Sequence, residues 1–341
     1  MTDTPPKIGT ADLPGVTPRL PLVSVGVPTF NGAGTLERAL TSVLSQDYPE
    51  LEVVISDNAS TDETEAVCRQ FASRDPRVRY LRKPTNCGPT ENFMEVLRQA
   101  RGKYFMWLGD DDWLADPSYV SKCTSFLVAN PDYSLACGVA RYFRKGVFLM
   151  EGLRIELSQE SPADRLMGYY ATVEDNGTFY GVMRREQMLR IGMKPVIAND
   201  WFFIAAVAFL GKVMTLAGTS VHREDNTPER TYEGIAAENR QAAIRGRYPF
   251  LFIGLSILYE VGWASPVYGW LPRTKRLALG LRCQAIVLRR HVWPGARARL
   301  RAIARRLSPA WMWAALRSAL GRPGKGPHAD HGSRPHEPGP T

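Results

Sequence analysis

The 341-residue sequence predicts an α/β fold, a largely parallel sheet wrapped by helices, followed by a helical and basic C-terminal extension. Three observations predict it. Short apolar runs alternate with stretches whose apolar residues recur at helical spacing, which is the β-α-β-α repetition of a sheet built by crossover helices. Polar loops rich in Asp, Asn and Gly follow several of those runs, where such sheets bind ligands. Charge is also segregated: the formal net charge is +9, yet 14 Lys or Arg and no Asp or Glu lie between Val261 and Ala329, leaving the rest of the chain net negative.

Residues 1–20, rich in Pro, Thr and Gly and without an apolar core, read as a flexible leader rather than a signal peptide. Leu22–Val27 is the first strand, and Leu36, Leu40, Val43 and Leu44 mark the first helix. Leu51–Ile55 is the second strand. Ser60 and Glu63 have the spacing of a capping box opening a helix that carries Val67 and Phe71. Val78–Leu81 is the third strand, and Phe93, Val96, Leu97 and Ala100 form the next helical face. Lys103–Leu108 is the fourth strand, running into three aspartates. Beyond Trp113 the pattern loosens: helices over Ser118–Val128 and Asp200–Leu210, strands over Tyr133–Phe143, Thr178–Met183 and Val213–Val221, and helix from Ile235 onward. Five cysteines, odd in number and without metal-ligand spacing, indicate reduced thiols in a cytoplasmic protein.

The loops carry the chemistry. Pro28-Thr29-Phe30-Asn31-Gly32 and Ser56-Asp57-Asn58-Ala59-Ser60-Thr61-Asp62 are, taken singly, ordinary turn and helix-start sequences. Asp110-Asp111-Asp112 is different. Three adjacent carboxylates repel one another unless a cation or a group of donors sits among them. Mg²⁺ or Mn²⁺, hard and oxygen-seeking, is the natural partner and is commonly shared with substrate phosphates.

Taken in order, Val23–Asn31 (VSVGVPTFN), Val54–Asp62 (VISDNASTD), Asn86–Gly88 (NCG) and Gly102–Asp112 (GKYFMWLGDDD) resemble family 2 glycosyltransferases, over roughly residues 20–225. The resemblance implies the GT-A fold, that of nucleotide-diphospho-sugar transferases, a Rossmann-like mixed sheet flanked by helices, here over residues 21–232. It implies transfer of a sugar from a nucleotide-diphosphate sugar, UDP-linked, to an acceptor hydroxyl with inversion, in polysaccharide or glycolipid synthesis, with Mg²⁺ or Mn²⁺. By position, Pro28, Thr29, Asn31 and Asn86 border the nucleotide, Asp57 accepts a hydrogen bond from the base, Asp110 meets the ribose or the metal, and Asp111 and Asp112 hold the metal. The family pattern Asp-x-Asp-Asp has Gly109 in its first place here. The base that deprotonates the acceptor comes from a Glu-Asp-like pair opening a late helix, which Asn199-Asp200 fits, so Asp200 is the expected base; an ordinary helix N-cap is the competing role for it. His222, at the end of a late strand, is the expected further metal ligand, and Thr178, Tyr180 and Gly181 border the acceptor.

The C-terminal half supplies the remaining expectations. Tyr248–Pro272 has one charge, Glu260, but Gly254, Gly262, Pro266 and Gly269 interrupt it, favouring an interfacial or core helix pair over a span. Leu300, Ile303 and Leu307, flanked by Arg299, Arg301, Arg305 and Arg306, with Trp311 and Trp313 beyond, suit an anionic membrane surface. Residues 233–320 therefore read as a helical, basic, membrane-associating region and 321–341 as a disordered tail. The implied partners are a nucleotide-sugar donor, a glycan or lipid-linked acceptor and the inner face of the cell membrane, with no nucleic acid. A nucleotidyltransferase is disfavoured because Pro28–Gly34 has no Lys or Arg; a non-catalytic nucleotide-sugar or membrane-binding relative is the other alternative.

Overall fold

The computed structural model describes residues 20–225, 231–294 and 297. The leader, the basic stretch from Arg299 to Trp313 and the C-terminal tail lie outside the described residues. Contacts group the chain through Arg290 as one compact unit.

The first half matches the sequence reading: β1 (Val23–Thr29), α1 (Leu36–Leu44), β2 (Leu51–Asp57), α2 (Thr64–Arg74), β3 (Val78–Arg82), α3 (Pro89–Gln99) and β4 (Tyr104–Trp107). These four strands pair in parallel in the order β3-β2-β1-β4. Every residue of β1, β2 and β4 is buried, as expected where helices cover both faces of a sheet. The expected capping box does not form. The helix starts at Thr64, whose N–H is capped by Asp62, and Ser60 is instead drawn into contact with Asn31 and Asp57.

The second half continues with β5 (Trp113–Leu114), α4 (Tyr119–Ala129), β6 (Tyr133–Arg144), β7 (Val147–Glu151), α5 (Pro162–Thr172), β8 (Val182–Arg184), α6 (Arg185–Ile191), α7 (Asn199–Leu210) and β9 (Lys212–Glu224). The strand expected over Thr178–Met183 is a 3₁₀ turn at Gly177–Tyr180 followed by the short β8. Among the described residues, the nine strands join one mixed, curled sheet, β3-β2-β1-β4-β8-β6-β9-β5, with β7 on β6. β5 follows β4 by a five-residue loop yet pairs at the far end of this order, with β9. The aspartate triplet makes up the second part of that loop, so it bridges the two halves of the sheet.

Two details of β9 place its end. Its register against β6 jumps between Leu216 and Ser220, with three residues bulging out around Gly218, whose φ of +76° suits glycine. Beyond the bulge, Val221, His222, Arg223 and Glu224 pair with Ala140–Phe143, and His222 lies opposite Trp113.

Four helices follow: α8 (Tyr232–Glu238), α9 (Ala243–Arg247), α10 (Pro249–Tyr259) and α11 (Arg273–Val287). Ile253, Ile257, Val261, Leu279, Cys283 and Val287 join the buried core, so this region packs as part of the compact unit. Glu260–Ala264 winds as a π-turn and Pro266–Tyr268 as a 3₁₀ turn, so Tyr248–Pro272 is not one continuous helix. Among the described residues no helix is long and apolar enough to cross a membrane.

Candidate active site

The carboxyl ends of β1, β2 and β4 meet in one place. Thr29, closing β1, donates a hydrogen bond to Asp110 at 2.5 Å. The loop after β1 is fastened to the loop after β2. Asn31, in the left-handed region at φ +53°, accepts from the Thr61 N–H at 2.8 Å, and its own N–H donates to Ser60 Oγ at 2.9 Å. Gly32 and Ala33 donate backbone N–H groups to Thr64 and Asp62. Beneath them, the amide of Asn92 donates to the carbonyls of Thr29 and Ser56, tying the two strand ends together. Pro28 is paired opposite Ser56 in the sheet. Asn86, exposed, accepts from Asn58 and from the Gly88 N–H, shaping the turn into α3.

Asp57 is fully buried at the end of β2. It accepts from Ser60 N–H at 2.8 Å, Tyr80 Oη at 2.9 Å and Arg82 at 2.6 Å. Burial pushes its carboxyl up, but the hydrogen bonds from Ser60, Tyr80 and Arg82 outweigh burial and hold it below the ordinary carboxylate value. The half-exposed Arg82 covers this carboxylate.

The triplet divides its roles. Asp110 is turned toward Thr29, and burial, reinforced by the charge of Asp111, raises it to about 6 against the Thr29 hydrogen bond. Asp112 is fully buried and turned toward β9, where it meets Arg223 Nε at 3.1 Å and the Glu224 N–H at 3.1 Å. Burial raises it to about 6 although Arg223 pulls the other way. Asp111 stands between them, half-buried, and its carbonyl accepts from Arg38, whose guanidinium lies 3.8 Å over the Trp113 ring. Gly109 explains the departure from Asp-x-Asp-Asp. A Cβ there would lie 2.8 Å from both Asp111 Oδ1 and Asp112 Oδ2, so the two carboxylates converge on the space above the glycine. Gly109→Ala is expected to prise Asp112 from Arg223 and cost about 1–3 kcal/mol of stability, readable by urea unfolding; an unchanged midpoint would mean that the loop yields freely.

Arg223 is the hub of the second half of the site. Besides Asp112 it reaches the Asn176 side chain and Tyr180 Oη (3.0 Å), with its guanidinium 4.0 Å above the Tyr180 ring. Asp200, second residue of α7, lies in the same neighbourhood. Burial raises its carboxyl above the ordinary value, opposed by the Trp201 N–H, the Asn176 side chain and Arg223. Its Oδ1 accepts the N–H of Trp201 at 3.0 Å. The residue before it, Asn199, lines a shallow cleft shared with Tyr170, Met193, Lys194, Phe202 and Tyr268.

Residues 24–192 match the family profile described as Glycosyl transferase family 2. This stretch of the chain belongs to glycosyl transferase family 2. The chain is 32% identical over 170 residues to the GalNAc(5)-diNAcBac-PP-undecaprenol beta-1,3-glucosyltransferase of Campylobacter jejuni, covering 49% of this chain and 52% of that one. It is 36% identical over 119 residues to the chondroitin synthase of Pasteurella multocida, 35% of this chain and 12% of that one. The chain thus spans about half the length of the first relative and a small part of the second. In fold, it is similar to Staphylococcus aureus TarS 1-349 in complex with UDP-GlcNAc (TM-score 0.51, 19% identity, 77% of this chain and 72% of that one). It is likewise similar to the mannosyltransferase PcManGT of Pyrobaculum calidifontis in complex with GDP-Man and Mn2+ (TM-score 0.53, 20% identity, 89% and 80%). The expected GT-A architecture, a curled mixed sheet with flanking helices, is the one found.

The structure draws together Thr29, Asn31, Asp57 and the triplet, all within the matched stretch, on one side, and Asp200 beside Arg223, both beyond it, on the other. It does not bring His222 to the triplet. In register with Trp113, its ring packs against Trp113 and Phe143, on the face of β9 opposite Arg223. Among the described residues no three His, Cys, Asp or Glu side chains gather as a metal centre. Half-buried Asp111 fits a divalent cation that takes one or two protein oxygens and the rest from phosphates, whereas both oxygens of Asp112 already accept from Arg223 and the Glu224 N–H, so Asp112 would have to release one of them to join it. Sequence reasoning missed Arg223, Asn176 and Arg38; the only signal for Arg223 was its place beside His222.

Proposed function

We propose that this protein is a glycosyltransferase that moves a sugar from a nucleoside diphosphate sugar, UDP-linked, to an acceptor hydroxyl with inversion, in the synthesis of a cell-surface polysaccharide or glycolipid. The observation that carries the reading is the meeting of the strand ends: Thr29–Asp110 and Asp57 on the donor side, and Asp200 with a raised carboxyl across the Asp112–Arg223 pair. The nucleoside lies along Pro28–Asn31, with its base toward Asp57 and Arg82 and with Asn86 at the edge of the pocket. Asp111, with Asp112, would hold Mg²⁺ or Mn²⁺, which when bound neutralises charge on the departing diphosphate. Asp200 accepts the proton of the acceptor hydroxyl as its oxygen bonds to the anomeric carbon; the bond from that carbon to the phosphate oxygen breaks, and the nucleoside diphosphate leaves with the electron pair.

The relatives point to acceptors in the same sphere, one named for a diphospho-undecaprenol acceptor and one for a polysaccharide product. A lipid-linked acceptor at the cytoplasmic face of the membrane, with the protein bound peripherally, fits the basic C-terminal composition.

The test is a screen of nucleotide sugars by melting temperature with and without Mn²⁺, followed by a transfer assay with the best donor. The correct donor at about 100-fold its Kd is expected to add about 2.7 kcal/mol and raise the melting temperature by a few degrees. Asp111→Asn is expected to lose the Mn²⁺-dependent part of that rise. No response to any nucleotide sugar in either condition sinks the reading.

A further inference from the structure

We infer that the outward face of α10, the π-turn after it and α11 is a contact surface for a bilayer rich in anionic lipid. It deepens the reading of a lipid-carried acceptor but stands on its own geometry. α10 is apolar on both sides. Its inner side, Ile253 and Ile257, is already buried in the core, while Leu251, Leu255 and Tyr259 recur every four residues on the outside, and Trp263 continues the row. Tyr259 and Trp263 are each 58% exposed and Trp270 66%. α11 adds exposed Leu277 and Leu281 beside its own buried Leu279, Cys283 and Val287. A helix apolar all round calls for a cover on both sides.

The charges on and around this face choose the cover. Arg273, Lys275 and Arg282 are exposed along α11 and Arg289 just beyond it, and no Asp or Glu occurs from Val261 to Arg290. The bordering acid, Glu260, is paired with Lys194. Two copies of the chain meeting through this face would set guanidinium against guanidinium, with no carboxylate between Val261 and Arg290 to oppose them, which disfavours self-association. An anionic bilayer meets both demands: tryptophan and tyrosine rings settle at the level of the headgroups, leucines reach the acyl boundary, and Lys and Arg meet lipid phosphates.

The experiment is co-sedimentation of the full chain with phosphatidylcholine vesicles and with vesicles of phosphatidylcholine and phosphatidylglycerol, across a salt series. Wild type is expected to bind the anionic vesicles, less so as salt rises. Leu255→Ser/Trp263→Ser is expected to lower that partitioning about tenfold or more, and Lys275→Ser/Arg282→Ser to weaken it and flatten its salt dependence. Circular dichroism and the melting temperature check that both variants are folded. Unchanged binding by the Leu255/Trp263 variant overturns the inference and moves membrane contact elsewhere in the chain. Binding to single-stranded RNA but not to vesicles overturns it too, as does a wild-type dimer that the same variant converts to monomer. Because partitioning is read without turnover, a wild-type protein that binds no vesicles yet transfers sugar to a soluble acceptor would remove this face and leave the proposed activity standing; wild-type vesicle binding without turnover would do the reverse.

Discussion

Asp200→Asn is expected to cut glycosyl transfer by about 10²–10⁴-fold, the usual worth of a positioned general base, while donor affinity by calorimetry stays within about twofold. The amide keeps the shape of the carboxylate and can still accept the Trp201 N–H, so the start of α7 is preserved. What it loses is the lone pair that takes the acceptor proton. The pH profile adds a second readout. Burial raises the Asp200 carboxyl, so the acid limb of the wild-type rate profile should lie above the ordinary carboxylate range, with the rate falling as pH drops through that value. The variant should lack that limb. Stability should move the opposite way. A carboxyl raised in the folded state favours folding below its unfolded value, and that contribution is lost as pH rises through the folded value. At neutral pH the ionised Asp200 therefore costs stability, and the neutral Asn variant should melt higher, the difference closing as pH falls toward 4. An Asn variant that melts lower and still turns over would make Asp200 a helix cap and nothing more.

Arg223→Met is expected to destabilise the protein by about 3–5 kcal/mol, because it strands a fully buried carboxylate without its cation. Asp112 already titrates at about 6 with Arg223 in place, and removing the guanidinium should drive it higher. The loss should therefore be greatest above neutral pH and shrink in mild acid, where Asp112 takes a proton. Arg223→Met/Asp112→Asn should recover most of it, giving a large coupling in a double-mutant cycle read by urea unfolding. Transfer should fall in both variants, since Arg223 also holds Asn176 and Tyr180. A single variant within about 1 kcal/mol of wild type would show that the pair contributes little beyond its burial cost.

The difference between what the residues foretold and what they concealed has a physical basis. β1, β2 and β4 could be read because parallel strands buried on both sides are continuous apolar runs, and the polar residues that end them must then face the ligand edge. The resemblance put Asn199-Asp200 at the start of a late helix, and α7 does begin at Asn199. Arg223 could not be read. The three residues bulging around Gly218 reverse which face each later side chain of β9 takes, so alternation counted from Val213 misplaces the end of the strand. The same reversal sends His222 to Trp113 and Phe143. Ser60 and Glu63 had capping spacing, but Ser60 gained more from long-range partners in the loop after β1, a competition invisible in local sequence. Gly177–Tyr180 looked extended because buried Thr, Phe and Tyr suit strands, and the tertiary pull of Arg223 on Asn176 and Tyr180 goes with a tight turn instead.

The latch between the loops after β1 and β2 has a consequence for how a nucleotide would be held. With Asn31, Gly32 and Ala33 already bonded to Thr61, Ser60, Thr64 and Asp62, that wall of the pocket is preorganised. A ligand settling there would not have to freeze a wandering loop, so its affinity would draw on avoided ordering entropy as much as on new contacts. Cutting the latch with Asn31→Ala should therefore speed ligand dissociation and make binding more entropically unfavourable, beyond whatever contact the Asn31 side chain itself makes with the nucleotide.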